Sequence, residues 1–184
     1  DEYDNIKSVV NDYLKEGIAH TLDETRNLSD SGQFEDISLQ QGIRQILYPY
    51  EEMEVLNPEW EVILKDIIDS LFEQMSDEEY NILNEEFGTY MVSRAYEYRQ
   101  LLEYLVFRYF AKSIYDYDFL GKCQMLVTNF FVIRQMDIIR WLDNHREYSF
   151  KDRMDVVHIF SRQVEYSEDN IENLYEDFIF DDIF

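Results

Sequence analysis

The feature that most constrains this chain is the stretch from Tyr98 to Trp141, which contains two long apolar helical patterns joined at a break that carries Asp and Gly. We predict one helix from Thr89 to about Ser113 and a second from about Asp118 to Asn144. Their apolar positions cover more of the helix circumference than a surface helix needs, so we expect both helices to be buried on most sides. The rest of the chain is therefore predicted to pack around this apolar pair.

The composition favours an all-α fold. Of the 184 residues 46% are hydrophobic, including 15 Tyr and 13 Phe, which supplies ample core material. Only 5 Gly and 2 Pro are present, too few for the many turns of a β architecture. We predict an all-α fold, a single multi-helix bundle of seven to nine helices around the central apolar pair, forming one domain over residues 1–184.

Local signals indicate where the individual helices begin and end. Apolar residues recur at helical spacing over residues 4–25, and the polar stretch 27–36 indicates a loop. Helix starts are predicted at Ser38 with Gln41, at Asn57 before Pro58, at Ser76 with Glu79, at Ser149 with Asp152 and after Ser167. We expect Pro49 to kink or end the helix that Ser38 opens, and Gly88 to close the helix that Ser76 opens.

The formal charge of −24 is unevenly distributed along the chain. Residues 1–89, 90–165 and 166–184 carry −18, +1 and −7, which add to that total. An acidic surface repels phosphate backbones, so we expect no nucleic-acid partner and attraction to a basic protein partner. Solubility explains the same acidic surface equally well. No apolar run approaches the length of a membrane span, so we expect a cytoplasmic protein with no membrane partner.

The familiar catalytic and cofactor motifs are missing. The chain has no P-loop, no G-x-G-x-x-G and no H-E-x-x-H, and its five glycines are dispersed. The three histidines, at positions 20, 145 and 158, are not spaced as metal ligands, so no metal site is predicted. The single Cys123 excludes a four-thiolate site built from this chain alone, and we expect it to be a small core residue on the apolar face of its helix.

Four arginines lie within apolar sequence neighbourhoods, at positions 94, 108, 134 and 162. A guanidinium in a core must be paired, because an unpaired buried charge costs several kcal/mol. Arg108 has Glu103 five positions before it, and Arg162 lies three before Glu165, which would place those two on one helix face. Two interpretations follow, namely an internal salt-bridge network, or a pocket where arginine and carboxylate orient a substrate.

Two segments that contain these residues resemble a known family. The segments LEYLVFRYF (102–110) and FSRQVEYS (160–167), with a long apolar helix between them, resemble the C-terminal part of the flagellin lysine-N-methylase family. The matching positions are Tyr104, Leu105, Val106, Ser161, Arg162, Glu165 and Ser167. The chain departs from the family pattern where Leu102 and Glu103 replace Glu-Asn, where Gln163 replaces Glu and where Tyr166 replaces His. The last replacement argues against an acid–base role at that position.

The resemblance, which covers about residues 56–175, implies a function for a larger protein. In that family S-adenosylmethionine is the methyl donor, flagellin lysines are the acceptors, and a cysteine-rich N-terminal region is thought to hold an iron–sulfur cluster. This chain contains no such region, so we expect it to be the C-terminal fragment of a larger protein and to contain neither cofactor. Its role would then be that of a scaffold or substrate-facing part, inactive by itself, with a lysine-rich protein such as flagellin as partner.

The resemblance and the arginine pattern together give a set of candidate site residues but no catalytic residue. The set is a substrate-facing or structural polar network of Glu103, Tyr104, Arg108, Arg162, Glu165 and Tyr166. The alternative function is a non-enzymatic helical module that binds a small apolar ligand among the aromatic residues or forms a homodimer through an apolar face.

Overall fold

The computed structural model describes residues 37–113 and 118–180, and every regular element in these ranges is helical. The α-helices are α1 (Leu39–Glu51), α2 (Pro58–Ile67), α3 (Asp77–Met91), α4 (Ala95–Arg108), α5 (Phe119–Asp143), α6 (Phe150–Phe160) and α7 (Glu168–Phe180). Shorter 3₁₀ and π turns connect or extend them, and no strand occurs in the described residues. The predicted all-α class is therefore confirmed.

The predicted helix starts are confirmed by side chains that accept otherwise unpaired backbone N–H groups. Capping boxes, in which the cap and the third helical residue each bond the other's backbone, are present at Ser38 with Gln41, Ser76 with Glu79 and Ser149 with Asp152. Asn57 caps α2 ahead of Pro58. These starts are set by three or four consecutive residues, which explains why sequence alone located them.

One predicted helix end, at Gly88, is wrong. Gly88 lies within α3, which continues to Met91, because a lone glycine weakens a helix by only about 1 kcal/mol and stops it only in the left-handed conformation. The break comes instead at a 3₁₀ turn, Val92–Arg94, so α4 begins later than the predicted helix from Thr89. Pro49 lies inside α1, which ends two residues later at Glu51.

Helix α5 lies at the centre of the described bundle. It packs against α1, α2, α4, α6 and α7, and it buries a long series of apolar residues that runs from Met125 to Trp141. Next to it, Trp60 of α2 contacts the rings of Tyr50 and Phe160, with centroid distances of 6.4 and 6.3 Å. Burying rings of this size contributes roughly 1.5–3 kcal/mol each. The predicted helix from 118 to 144 thus matches α5 to within one residue at each end.

The other member of the predicted central pair is not buried on most sides. Helix α4 packs mainly against α5 and against the 3₁₀ turns at its two ends, and its buried side chains are Glu97, Leu101 and Leu105. Four of its other large apolar side chains, Tyr96, Tyr104, Val106 and Phe107, are exposed, so the structure does not confirm a central apolar pair. Cys123 is also exposed, so its predicted core position is wrong: it lies between the buried residues Lys122 and Met125, on the side of α5 that faces away from the core.

Several sequence predictions lie outside the described residues. These are the helix over residues 4–25, the loop over 27–36 and the end of the acidic C-terminal tail. The count of seven to nine helices and the single domain over residues 1–184 therefore remain predictions. Among the described residues, no helix has the length and apolar character needed to cross a membrane.

Candidate functional site

The two family-like segments meet at the carboxylate of Glu165. The first segment lies on α4 and the 3₁₀ turn after it; the second lies on a π turn, Ser161–Glu165, that extends α6. The Tyr104 hydroxyl donates to both carboxylate oxygens of Glu165 at 2.8 Å, and the Tyr109 hydroxyl donates at 3.2 Å. The Arg108 guanidinium forms an ion pair with the same carboxylate, with 3.9 Å between Nε and Oε1. We call these four residues the Glu165 cluster.

The protonation of the two tyrosines fixes their role in the cluster. Burial, together with the Glu165 carboxylate, raises the pKa of Tyr104 to about 12. The same two causes raise the pKa of Tyr109 still further. Both hydroxyls therefore carry their protons at neutral pH and act as donors to Glu165, whose side chain is only 5% exposed. The carboxylate is held in one place by three partners on α4 and the residue after it.

The structure brings together some of the predicted site residues and separates others. Tyr104, Arg108 and Glu165 belong to the cluster, whereas Glu103 points away and pairs with Arg99 at 2.9 Å on the exposed side of α4. Arg162 is exposed and forms no ion pair with another residue of the described ranges. Tyr166 follows the cluster with 80% of its side chain exposed.

Arg162 and Glu165 do not share a face because the local helix is not an α-helix. The i, i+3 spacing aligns two side chains when the helix has 3.6 residues per turn. The segment Ser161–Glu165 is a π turn, which has wider turns with i to i+5 hydrogen bonds. Each residue of a π turn is rotated less about the axis than in an α-helix, so residues three apart diverge, with Glu165 turned inward and Arg162 on the surface.

A second polar group, which we call the Asp137 network, is buried between α4, α5 and α6. It consists of Glu97, Tyr98, Asp137, Tyr148, Arg153 and, at its edge, Arg94. Asp137 is fully buried and accepts hydrogen bonds from Arg153, from Tyr148 and from the Tyr98 hydroxyl at 2.8 Å. Arg153 also lies 3.5 Å from Glu97, and its guanidinium stacks 4.2 Å from the centroid of the Tyr98 ring.

Burial and pairing act in opposite directions on the charged groups of this network. Burial raises the pKa of Asp137, and the charge of Arg153 and the bonds from Tyr148 and Tyr98 limit that rise. Burial disfavours the charge of Arg153, but Asp137, Tyr98 and Tyr148 together outweigh it and the pKa of Arg153 is raised. Burial also opposes the charge of Glu97, but its bonds to Arg94 hold its pKa below the usual value. The network is thus held by mutually compensated charges.

The predicted internal salt-bridge network describes this part of the molecule, but the residues at the centre of the network were not among those predicted. Arg94 bonds Glu97 and the carbonyl of Tyr148, and Arg134 bonds Asn84, so both predicted arginines are paired. Arg153 and Asp137 were not predicted. A signal existed for Asp137, because it lies four residues from Ile133 and from Trp141 and therefore belongs to the buried row of α5.

The described residues also contain one broad concavity of about 900 Å³. It lies at the α5–α6 connection and is lined by Tyr90, residues 143–149 and Asp152. Within the described ranges, no group of three or more His, Cys, Asp or Glu is arranged to hold a metal ion. The structure thus places a buried carboxylate with three partners at the meeting point of the two family-like segments and an open concavity elsewhere.

Comparison with known proteins gives one match. The family model described as "FliB lysine N-methylase C-terminal domain" matches residues 1–184. No curated protein and no solved structure matches the chain.

Proposed function

We propose that this chain, which belongs to the FliB lysine N-methylase C-terminal domain family, is the helical scaffold and substrate-facing part of a protein that methylates lysine side chains. Methyl transfer to an amine requires a neutral lysine, a bound donor and alignment between the two. In this division of labour the chain supplies the alignment between the lysine and the donor. It includes flagellin or another lysine-rich protein as substrate and a cytoplasmic location.

One observation carries the substrate-facing assignment: the two segments that resemble the family converge on the buried carboxylate of Glu165 and present two tyrosines at the surface beside it. Tyr104 is 44% exposed and Tyr166 is 80% exposed beside this ordered carboxylate. An exposed tyrosine face attracts a lysine ammonium and packs against its aliphatic stem. The hydrogen bonds from Tyr104 to the Glu165 carboxylate hold the tyrosine ring in place, which lowers the conformational cost of binding.

The implied cofactors do not fit this chain. An iron–sulfur cluster needs several cysteine thiolates, and the chain contains Cys123 alone. The five dispersed glycines form no phosphate-type or adenosine cradle in the sequence. We therefore assign S-adenosylmethionine and any cluster to a part of the protein other than these 184 residues.

A transfer assay tests the division of labour. The full-length protein that carries this domain, and the 184-residue chain, are each incubated with methyl-labelled S-adenosylmethionine and flagellin or another lysine-rich protein. We expect label on the substrate with the full-length protein and none with the chain alone. Transfer by the chain alone would refute the division of labour, and transfer by neither would refute the function.

A substitution in the full-length protein tests the substrate-facing surface. An exposed cation–π contact contributes about 0.5–1 kcal/mol, so Tyr166→Ala should raise KM for the protein substrate by roughly two- to fivefold with little change in kcat. Tyr48→Ala is the matched control, because Tyr48 is an exposed tyrosine of α1 that takes no part in the cluster. Equal KM values for both variants would show that this surface does not meet the substrate.

A further inference from the structure

The outer face of α4 carries a regular stripe of exposed side chains. Tyr96, Arg99, Glu103 and Val106 follow each other at spacings of three, four and three residues. We call these four residues the α4 stripe. Tyr96 is 56% and Val106 40% exposed, and the side chains of Arg99 and Glu103 are 80% and 55% exposed. This alternation of four and three is the spacing of the contact positions in a two-helix coiled coil.

The opposite face of the same helix accounts for all of its packing within the described bundle. Leu101 and Leu105 are buried against α5, and Glu97 is buried in the Asp137 network. Residue 101 lies at the middle of the inward face, so the stripe lies directly across the helix from it. The stripe is therefore an aromatic and aliphatic surface that no described helix covers, with one ion pair at its centre.

We propose that a second copy of this chain covers the α4 stripe, with the two α4 helices antiparallel about a two-fold axis. Such an axis passes level with residue 101, so two residues face each other when their numbers add to 202. Arg99 then faces Glu103 of the second copy, and Tyr96 faces Val106 of the second copy. Each pair occurs twice, as in every isologous interface, in which one patch meets its own copy.

Charge complementarity selects the second copy and its orientation. In the antiparallel arrangement both arginines face glutamates, so two Arg99–Glu103 pairs form across the axis. In a parallel arrangement Arg99 would face Arg99, and Glu103 would face Glu103, and like charges facing each other disfavour association strongly. Polar residues at contact positions weaken a coiled coil but fix its register, which is the role that this central pair would have.

The charge distribution of the whole chain also favours this face. The chain carries −24, so two copies repel each other through most of their surfaces. Residues 90–165, which contain the whole stripe, carry a formal charge of +1. The stripe itself is neutral, with one arginine and one glutamate, so contact through α4 brings together the least acidic part of each copy.

Charge reversal tests the proposal with the 184-residue chain, whose monomer mass is 22.5 kDa. A single helix pair gives a small interface, so we expect weak association. In sedimentation velocity the unsubstituted chain should form its dimer within a range of about 1–100 μM. Arg99→Glu and Glu103→Arg should each weaken dimerisation at least tenfold, since each places like charges opposite each other twice. An equimolar mixture of the two variants should form a heterodimer, and the double variant R99E/E103R should dimerise again.

Two controls separate this mechanism from misfolding and from a general charge effect. Lys151→Glu changes the net charge by the same amount as Arg99→Glu at another exposed position and should leave the dimer intact. The far-UV circular dichroism of all variants should match that of the parent chain. A chain that remains monomeric at about 500 μM would overturn the proposal. So would single variants that dimerise normally, or variants that do not associate when mixed. These outcomes do not depend on methyl transfer.

Discussion

Replacement of Arg153 by methionine removes a cation from the centre of the Asp137 network while keeping the length of the side chain. Asp137 is 0% exposed and would keep its bonds from Tyr98 and Tyr148 but lose its charged partner. Breaking a buried ion pair on one side costs about 3–5 kcal/mol, because the remaining charge stays buried. Since the two tyrosine donors remain, we expect about 3 kcal/mol. That is a large part of a typical stability of about 5–15 kcal/mol.

Urea denaturation followed by circular dichroism measures this loss. With an m-value of about 1–3 kcal/mol/M, the midpoint should fall by about 1–3 M. Arg146→Met is the matched control, because Arg146 pairs with Glu86 at 2.8 Å across an exposed surface, and such pairs contribute about 0–1 kcal/mol. Removal of both charges of the Asp137–Arg153 pair, in Arg153→Met with Asp137→Leu, should recover part of the loss, because Tyr98 and Tyr148 then lose their acceptor.

The pH dependence of the loss tests its cause. Without Arg153 the pKa of Asp137 in the folded variant rises further above its unfolded value of about 3.9, since burial is then less opposed. A raised folded pKa contributes stability that is present below the unfolded pKa and lost as pH rises through the folded one. The difference between Arg153→Met and the parent chain should therefore shrink as pH falls toward about 4. A loss that stays constant from pH 7 to pH 4, or a loss no larger than that of Arg146→Met, would refute the electrostatic reasoning.

Two further predictions concern the ends of α5 and α6. His145 has a φ of 57° just after α5, where its N–H bonds Leu142 and the N–H of Arg146 bonds Trp141, the pattern of a helix end that favours glycine. His145→Gly should therefore raise the free energy of unfolding, measured in urea, by about 0.5–1 kcal/mol. The control is His158→Gly, at an exposed position inside α6, which should lower the free energy of unfolding by about 1 kcal/mol. A change of the same sign in both variants would contradict this account. Burial favours protonation of Asp152, but hydrogen bonds from Ser149 and Asn144 hold its pKa below the usual value. The contribution of Asp152 to stability is therefore present above the unfolded-state pKa of about 3.9 and is lost as pH falls through the folded-state pKa. Asp152→Asn should thus be less stable than the parent at pH 7 and approach it near pH 2 in thermal melts, and a gap independent of pH would contradict the assignment.

The helical content and the helix starts were predictable from the sequence because they depend on neighbours within one turn. Ser76 and Glu79 need only each other to satisfy two backbone groups, and Asn57 needs only the N–H of Glu59. The extent of α5 was predictable for a related reason, since a cap at Asp118 is followed by an apolar pattern long enough to fill its inward face. The all-α class and the helix boundaries near these caps follow from such local chemistry.

The candidate site was predictable only in part. Tyr104, Arg108 and Glu165 were identified from their sequence segments, and they meet in the Glu165 cluster. Tyr109 was not identified, and Arg162 was assigned to the same face as Glu165 on the assumption of an α-helix. Whether a turn adopts π or α geometry depends on how the helix before it packs, so sequence spacing could not show that Arg162 lies on the surface.

The sequence by itself determined that this chain forms helices, where most of them begin, and to which family its segments are similar. Only the tertiary structure decided which apolar helix became the centre and which kept an exposed face. Helices α4 and α5 have similar apolar patterns, but α5 contacts helices on all sides whereas α4 packs mainly against α5. The pairing of Asp137 with Arg153 was likewise decided by packing, because a buried charge is tolerated only where a partner from another helix lies within about 4 Å.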